Sequence, residues 1–274
     1  MSYTEFFEHS LRHTATIAES YFGKVATTVK TDDNNQVLTE ADIAIGDYLV
    51  GECRRAFPDY NIIDEEAGAI DNGSQYTFVI DPVDGTSNFA NGLPHYGTMI
   101  GLLDGGTPVA GAIVLPTLQL LYTAEKGQGT YCNGNKVHVS SESTLLNTLV
   151  AYGIDGHQEN PAITEEETRL LARIVLSIRN LRSSNSAFDL AATADGRYGL
   201  SLNRTSKIWD NVAPHIIMEE AGGIYTDFWG APIDYSNPLT KIDKNFTFCA
   251  GAPKLHAAMQ AIIQRHSRKT DATM

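Results

Sequence analysis

The chain has 274 residues, with 20 Lys and Arg against 33 Asp and Glu and a formal charge of −13, an acidity unsuited to a protein whose affinity rests on phosphate backbones. Hydrophobic residues make up 42% and charged residues 19%, which is a globular composition, and the length suits one large domain or two closely packed ones. No apolar run approaches the roughly 18 residues needed to span a bilayer, and Met-Ser-Tyr-Thr-Glu-Phe-Phe-Glu offers neither a basic nor an apolar leader segment. A soluble, cytoplasmic protein without a membrane or nucleic-acid partner is therefore expected.

Phe7, Leu11, Ala18, Phe22 and Val25 fall near one face at helical spacing, which predicts an amphipathic helix from about Tyr3 to Val25. His9 and His13 stand one turn apart in it, but without the glutamate of H-E-x-x-H they read as a solvated face. Lys30-Thr31-Asp32-Asp33-Asn34-Asn35 reads as a loop. A second helix is expected from about Glu40 to Ala56, opened by Thr39, with Ala41, Ile45, Leu49 and Cys53 inward. Two short apolar runs ending in acid follow as strands, Asn61-Ile62-Ile63-Asp64-Glu65-Glu66 and Tyr76-Thr77-Phe78-Val79-Ile80-Asp81. Thr98–Leu103, Pro108–Val114 and Leu118–Tyr122 continue the β pattern, the first two as an antiparallel hairpin turning at Asp104-Gly105-Gly106.

The polar stretch Gly153–Pro161 is the candidate boundary. It separates residues 1–152, an α+β half, from 153–266, an α/β half, with 267–274 a polar tail expected to fray. The later elements alternate: strand near Leu149–Tyr152, helices Thr164–Ser177 and Ala187–Asp195, strand Tyr198–Leu202, helix Asp210–Ala221, strands Gly223–Thr226 and Asn245–Ala250, and helix Pro253–Arg265. Helices and strands mixed this way indicate helices layered on sheets. Cys53, Cys132 and Cys249 lack any C-x-x-C spacing and read as buried filler, not as a disulfide framework or thiolate metal site.

Carboxylates then gather where a fold normally avoids them. Glu65 and Glu66 follow one strand, Asp81 and Asp84 bracket a turn after the next, and Asp210 follows Trp209 at a helix start. Oxygen-rich clusters of this kind suit hard divalent cations such as Mg²⁺. In Asp81-Pro82-Val83-Asp84-Gly85-Thr86-Ser87-Asn88-Phe89, Pro82 stiffens the turn and Gly85 permits positive φ. The amides of Gly85, Thr86 and Ser87 could then point at a phosphate from the start of a short helix. Each piece alone has a plain reading: turn residues for Asp81 and Asp84, a capping box for Thr39 and Asp42, a solvated loop for Glu65-Glu66, a first-turn acid for Asp210. Their joint occurrence favours the metal.

These blocks resemble the inositol monophosphatase family of Mg²⁺-dependent, lithium-sensitive phosphatases. Asp64-Glu65-Glu66 stands where the family has G-E-E, and Asp81-Pro82-Val83-Asp84-Gly85-Thr86 matches D-P-[IVL]-D-G-T. Trp209-Asp210 followed by Glu219-Glu220-Ala221-Gly222-Gly223 matches W-D…E-A-G-G. Leu38-Thr39-Glu40-Ala41-Asp42 and Arg182-Ser183-Ser184-Asn185-Ser186-Ala187 support it. The resemblance implies an αβαβα sandwich, an α+β or layered α/β fold, assembled as a homodimer. It implies one metal on Glu65, Asp81 and the Val83 carbonyl, a second on Asp81, Asp84 and Asp210, and a weaker third leaning on Glu65. Thr86 and Asp42 would orient or deprotonate the attacking water, with Glu65 the competing base, and lithium would inhibit. Phosphate monoester hydrolysis, among the slowest uncatalysed reactions, makes the same demand for charge neutralisation and an activated water.

The resemblance places the substrate alcohol at Asn185, Ser186, Ala187, Asn203 and Arg204. Family members acting on inositol phosphates carry glutamate where this chain has Asn203, and commonly glycine where it has Asn185. Arg204 and Lys207 stand where a second phosphate or a carboxylate could sit, or are loop charge. His95 either lines the pocket or packs, His215 reads as structural, and Glu219 and Glu220 belong to a helix closed by two glycines. The expected activity is hydrolysis of a small phosphate ester, inositol 1-phosphate first, with fructose 1,6-bisphosphate or histidinol phosphate as alternatives. A non-catalytic partner in a larger assembly is the reading from another class, and it predicts loss of a metal ligand; none is lost. A calcium module would require EF-hand-like spacing, which is absent.

Overall fold

The computed structural model describes residues 2–24, 28–29 and 37–271. Its elements begin with α1 (Tyr3–Tyr21), a two-stranded ribbon of β1 (Thr28–Val29) and β2 (Val37–Leu38), and α2 (Glu40–Ala56). The chain continues through β3 (Asn61–Asp64), β4 (Gly68–Ile70), β5 (Tyr76–Asp84), α3 (Thr86–Ala90), β6 (Gly97–Asp104), β7 (Thr107–Leu115), β8 (Leu120–Glu125), β9 (Gly129–Cys132) and β10 (Asn135–Val137). These strands form an eight-stranded sheet in the order β10-β9-β8-β7-β6-β5-β3-β4, antiparallel except for the β3–β5 pair. Then come β11 (Leu149–Gly153), α4 (Pro161–Val175), β12 (Asn180–Arg182), α5 (Ala187–Ala194), β13 (Leu200–Ser206), α6 (Val212–Glu220), β14 (Ile224–Thr226), β15 (Phe246–Gly251) and α7 (Pro253–Asp271). They build a five-stranded sheet in the order β12-β11-β13-β15-β14.

Apolar periodicity explains the stacking. Phe6, Phe7 and Leu11 of α1 and Ile45 and Leu49 of α2 pack with Phe78, Ile80, Ile100 and Leu102 on one face of the larger sheet. On its other face Met99 and Ile113 meet Leu190 of α5 and Ile216 and Ile217 of α6, which also touch Tyr225 and Phe248 of the smaller sheet. Leu170 and Ile174 of α4 and Leu255, Met259 and Ile263 of α7 cover Val150, Tyr152, Leu200 and Leu202 beyond it. The five layers are the αβαβα sandwich expected from the sequence.

The expected elements shift in a few places. The first helix ends at Tyr21, where Phe22 caps it and Gly23 adopts φ +69°; Val25 and the loop Lys30–Asn35 lie outside the described residues. Pro116–Leu118 form a single 3-10 turn, so the third strand of the meander starts at Leu120. Leu149–Gly153 pairs in parallel with both β12 and β13, so a division after residue 152 cuts a strand of the smaller sheet. The three-residue β12 was too short to give a periodic signal. Asp210 sits in the turn before α6, which begins at Val212. The last helix runs on to Asp271, into the stretch expected to fray, and 272–274 lie outside the described residues. Cys53 and Cys249 are buried, whereas Cys132 is only half-buried. Among the described residues, no helix is long and apolar enough to cross a membrane.

The central helix α6 presses directly on the backbone of the larger sheet, because Gly101 and Gly111 face each other across β6 and β7. A Cβ on Gly101 would stand 2.6 Å from Val212 Cγ1 and 2.7 Å from Ala213 N. Gly101→Ala is expected to destabilise the protein by about 1–3 kcal/mol through overpacking, read as a lower urea midpoint. An unchanged midpoint would mean that α6 is free to move away.

Candidate functional site

Two of the acids owe their meeting to an irregularity in β5. Asp81 pairs with Met99 and Asp84 with Gly97, so β5 takes three steps while β6 takes two. Pro82 lies in the extra length, and its carbonyl accepts from Thr98 Oγ1 at 2.7 Å. Such a bulge re-aims side chains at the end of a strand. Asp210 arrives from the other sheet, in the turn between β13 and α6, where Lys207 N donates to its Oδ2 at 2.5 Å. Asn211 Nδ2 fixes that turn by donating to Ser206 Oγ and Lys207 O. One carboxylate oxygen from each of Asp81, Asp84 and Asp210 lies within 4.8 Å of the others.

The electrostatics of the trio are severe. Asp81 is 1% exposed, and burial, followed by the charges of Glu65, Asp84 and Asp210, holds its carboxyl well above the usual range. Burial and then Asp210 and Glu65 do the same to Asp84. Asp210 is pushed up to about 6, chiefly by burial. The nearby Asp210 carboxyl adds to the upward push on Asp81, and Asp81 Oδ1 is buried with no hydrogen-bond partner. An all-oxygen donor set, mutual repulsion and an orphaned carboxylate oxygen together fit a hard divalent cation. His9 and His13 belong to no such group among the described residues; His13 packs on Tyr48.

The trio opens on a cavity of about 650 Å³ whose wall also carries Glu65, Val83, Gly85, Thr86 and Ser87. Glu65 is presented by a turn that Asp64 holds, its Oδ1 accepting from Glu66 N at 3.0 Å and Ala67 N at 2.7 Å. Gly85 adopts φ +86° before the five-residue α3. The Thr86 hydroxyl donates to Val83 O at 2.7 Å and stands 3.4 Å from Asp42 Oδ1. Asp42 itself is buried behind Thr86, off the cavity wall. It is at once the capping-box residue of α2, bound by Thr39 N at 2.9 Å. Burial pushes its carboxyl up to about 6 despite the Thr39 hydrogen bonds.

The residues expected around a substrate alcohol are brought together only in part. Asn185, Ser186, Asn203 and Lys207 line the cavity. Ala187 is buried off the wall and gives its backbone N–H to Asp84. Arg204 also lies off the wall, because strand alternation sends it to the opposite face of β13 from Asn203. There it pairs with Glu166 and lies 5.5 Å over Phe228 and 5.6 Å over Trp229. The smaller sheet adds wall residues that sequence reasoning missed, among them Asp155, His157, Asp189, Asn245 and Phe248. Only Asp189 carried a signal, at the third position after Ser186, which caps α5. His95 packs against Phe188 at 4.5 Å instead of facing the cavity. His215 bonds Tyr235 and stacks on Tyr225, and Glu220 accepts from the amides of Gly127 and Gly129; both tie the fold together.

The profile of the inositol monophosphatase family matches residues 2–268. A protein of Xylella fastidiosa named Nus factor SuhB is 33% identical over 216 residues, 78% of this chain and 77% of its own. A protein of Aquifex aeolicus named fructose-1,6-bisphosphatase/inositol-1-monophosphatase is 36% identical over 177 residues, 62% of this chain and 64% of its own. The crystal structure of a Thermotoga maritima IMPase superimposes with a TM-score of 0.85 at 25% identity, covering 98% of this chain and 99% of that one.

Raised carboxyl pKa values have a definite sign. The folded protein binds protons at Asp210 that the unfolded chain releases above 3.8, so the stability this group contributes is lost as pH climbs from 3.8 through about 6. Below that window a cation must displace those protons. Mg²⁺ at about 100 times its Kd is therefore expected to raise Tm by roughly 5 °C or more at pH 7.5, by much less at pH 5, and by little at either pH in Asp84→Asn. Equal shifts at the two pH values in the unmodified protein would contradict the assignment of the trio as a metal centre.

Proposed function

The chain belongs to the inositol monophosphatase family, and on that footing we propose that it is a Mg²⁺-dependent phosphatase of small phosphate monoesters, with inositol 1-phosphate its first candidate substrate. The observation that carries this reading is the trio of buried Asp81 and half-buried Asp84 and Asp210 with its orphaned oxygen, opening on a cavity large enough for a sugar-sized ligand. Glu65, Asp81 and the Val83 carbonyl would hold one ion, Asp81, Asp84 and Asp210 another, and Glu65 would support a weaker third. Cations held there neutralise phosphoryl oxygens and make water nucleophilic at neutral pH.

The chain's own groups supply the rest. Gly85, Thr86 and Ser87 bring three backbone amides to the phosphate side of the cavity. The Thr86 hydroxyl, held by Val83 O and close to Asp42, orients the attacking water. Asp42, raised to about 6, is the group behind it that takes up a proton near neutral pH. Glu65, directly on the wall, is the competing base. On the leaving-group side the neutral Asn203 and the rim cation Lys207 are compatible with an alcohol carrying a second anionic group, which keeps fructose 1,6-bisphosphate as an alternative substrate and agrees with the name of the Aquifex relative.

A second reading, a role in a larger assembly, is favoured by the relative named Nus factor SuhB. The two are separated by Asp84→Asn, which disables hydrolysis without disturbing the surface.

The assay is phosphate release from inositol 1-phosphate, fructose 1,6-bisphosphate and histidinol phosphate with Mg²⁺, with a chelator, and with lithium added. Mg²⁺-dependent, lithium-sensitive release is expected, lost by at least about 100-fold in Asp84→Asn and Thr86→Ala. A folded, Mg²⁺-loaded protein that releases phosphate from none of the three would defeat this reading.

A further inference from the structure

The phosphate side of the cavity is built by the larger sheet and its flanking α3, the leaving-group side by the turn at Ser184–Ser186 and by β13. Catalysis requires the two to hold a fixed spacing. One side chain spans them. Asn88 of α3 donates through its single amide nitrogen to His95 O at 2.7 Å and to Ser184 O at 2.8 Å. One of these carbonyls lies in the loop before β6 and the other lies in the turn before α5. Both amide hydrogens are thereby used, so Asn88 has no donor left for substrate.

The Ser184 peptide is held from its other side as well. Asp189 Oδ2 accepts from Ser184 N at 3.1 Å and Asn185 N at 2.9 Å. Between the two grips Asn185 adopts φ +49°, and its side chain passes the order on: Asn185 Nδ2 donates to Asp155 Oδ1 at 3.1 Å, and Asn203 Nδ2 donates to Asn185 Oδ1 at 2.9 Å. The space beneath is closed, since a Cβ on Gly85 would stand 2.7 Å from Ser186 Cβ and 3.0 Å from His95 O.

We propose that Asn88 is a positioning residue that clasps the leaving-group turn to the phosphate-side helix, and so sets the distance between phosphate and alcohol for the proposed reaction. The proposal rests on the phosphatase reading for its kinetic consequence and on the hydrogen bonds alone for its structural one. It assigns to Asn88 and Asp189 a part in substrate selection exercised through the turn they hold.

The experiment uses the full chain with Mg²⁺ and two variants of the same side chain. Asn88→Ala removes the amide, and Asn88→Asp keeps its shape while losing both donors. Hydrogen exchange of the peptide spanning Ser184 and Asn185 is expected to accelerate by about tenfold or more in both variants. Unchanged exchange would overturn the clasp whatever the enzyme assay shows. The ratio of kcat/KM for inositol 1-phosphate to that for p-nitrophenyl phosphate, whose leaving group needs no positioning, is expected to fall by roughly 10- to 100-fold. A parallel loss on both substrates would assign Asn88 to general stability and overturn the proposal. Asp189→Asn, which weakens the opposite grip, is expected to lower the same ratio, and the double variant to fall short of the product of the singles. Full multiplicativity would mean that the two residues act separately. An unmodified protein inert on both esters would defeat the phosphatase reading and leave the exchange result to decide the clasp.

Discussion

Three carboxylates held within 4.8 Å of one another where two sheets meet are the constraint on which the structure turns. At that separation an ionised pair repels by about 3–4 kcal/mol at an effective dielectric of 20, so three ionised acids approach the whole stability of a domain. The fold cannot leave them all charged and uncompensated. Protons are one remedy, in keeping with carboxyls raised by burial and by one another; divalent cations are the other, and they are compatible with neutral pH. The acids are retained at that expense because they sit where opposite sheets converge and no packing role explains them.

Holding such a cluster requires that neither sheet yield. The shared layer of α5 and α6 does this, packing on both sheets through Leu190, Ile216 and Ile217. Glycines in β6 and β7 let α6 approach the larger sheet at backbone distance, which fixes the turn that delivers Asp210. The bulge in β5 fixes Asp81 and Asp84 from the other side. Ala187, at the first turn of α5, donates its N–H to Asp84, so the same central layer that joins the sheets also stabilises one of the acids. Packing and site geometry are thus one problem: a displacement of the layer that opened the core would also separate the ligands.

The acid-lined end of the cavity was legible in the sequence because it is local. Asp81, Asp84, Gly85 and Thr86 lie in one short run whose turn chemistry and acid spacing can be read without the fold, and the Thr39–Asp42 capping box was visible by its offset. Apolar periodicity gave the helices and strands and their layering, and the family resemblance implied the five-layer order. Asp42 shows the limit of that reasoning: its two roles, cap and neighbour of Thr86, depend on α2 lying against the phosphate turn. Arg204 shows another limit. Its charge suggested a substrate contact, but alternation along β13 and the pull of Glu166, Phe228 and Trp229 take it to the far face. Asp155 had no local signature as a wall residue, because its side-chain link to the wall is a bond from Asn185, 30 residues away.

The same division explains why the reaction is easier to assign than the substrate. Metal and phosphate make a fixed demand, for oxygen donors on one and amides on the other, and a short motif can meet it. The alcohol makes a variable demand, which the proposed reading gives to Asn185 and Asn203, whose amides are tied first to each other and then to Asp155 and the Thr205 backbone. A neutral pair of this kind presents fixed, uncharged polar groups, and its shape is set by the turn that Asn88 and Asp189 hold. With Asp155, Asp189 and Glu65 also on the wall, every carboxyl that ionises adds negative charge to the cavity until cations enter it. An anionic ester meets repulsion from the bare protein and attraction from the loaded one. The wall thus repels or attracts an anion according to whether cations occupy it, whereas the tied amides of Asn185 and Asn203 keep the same polarity in either state.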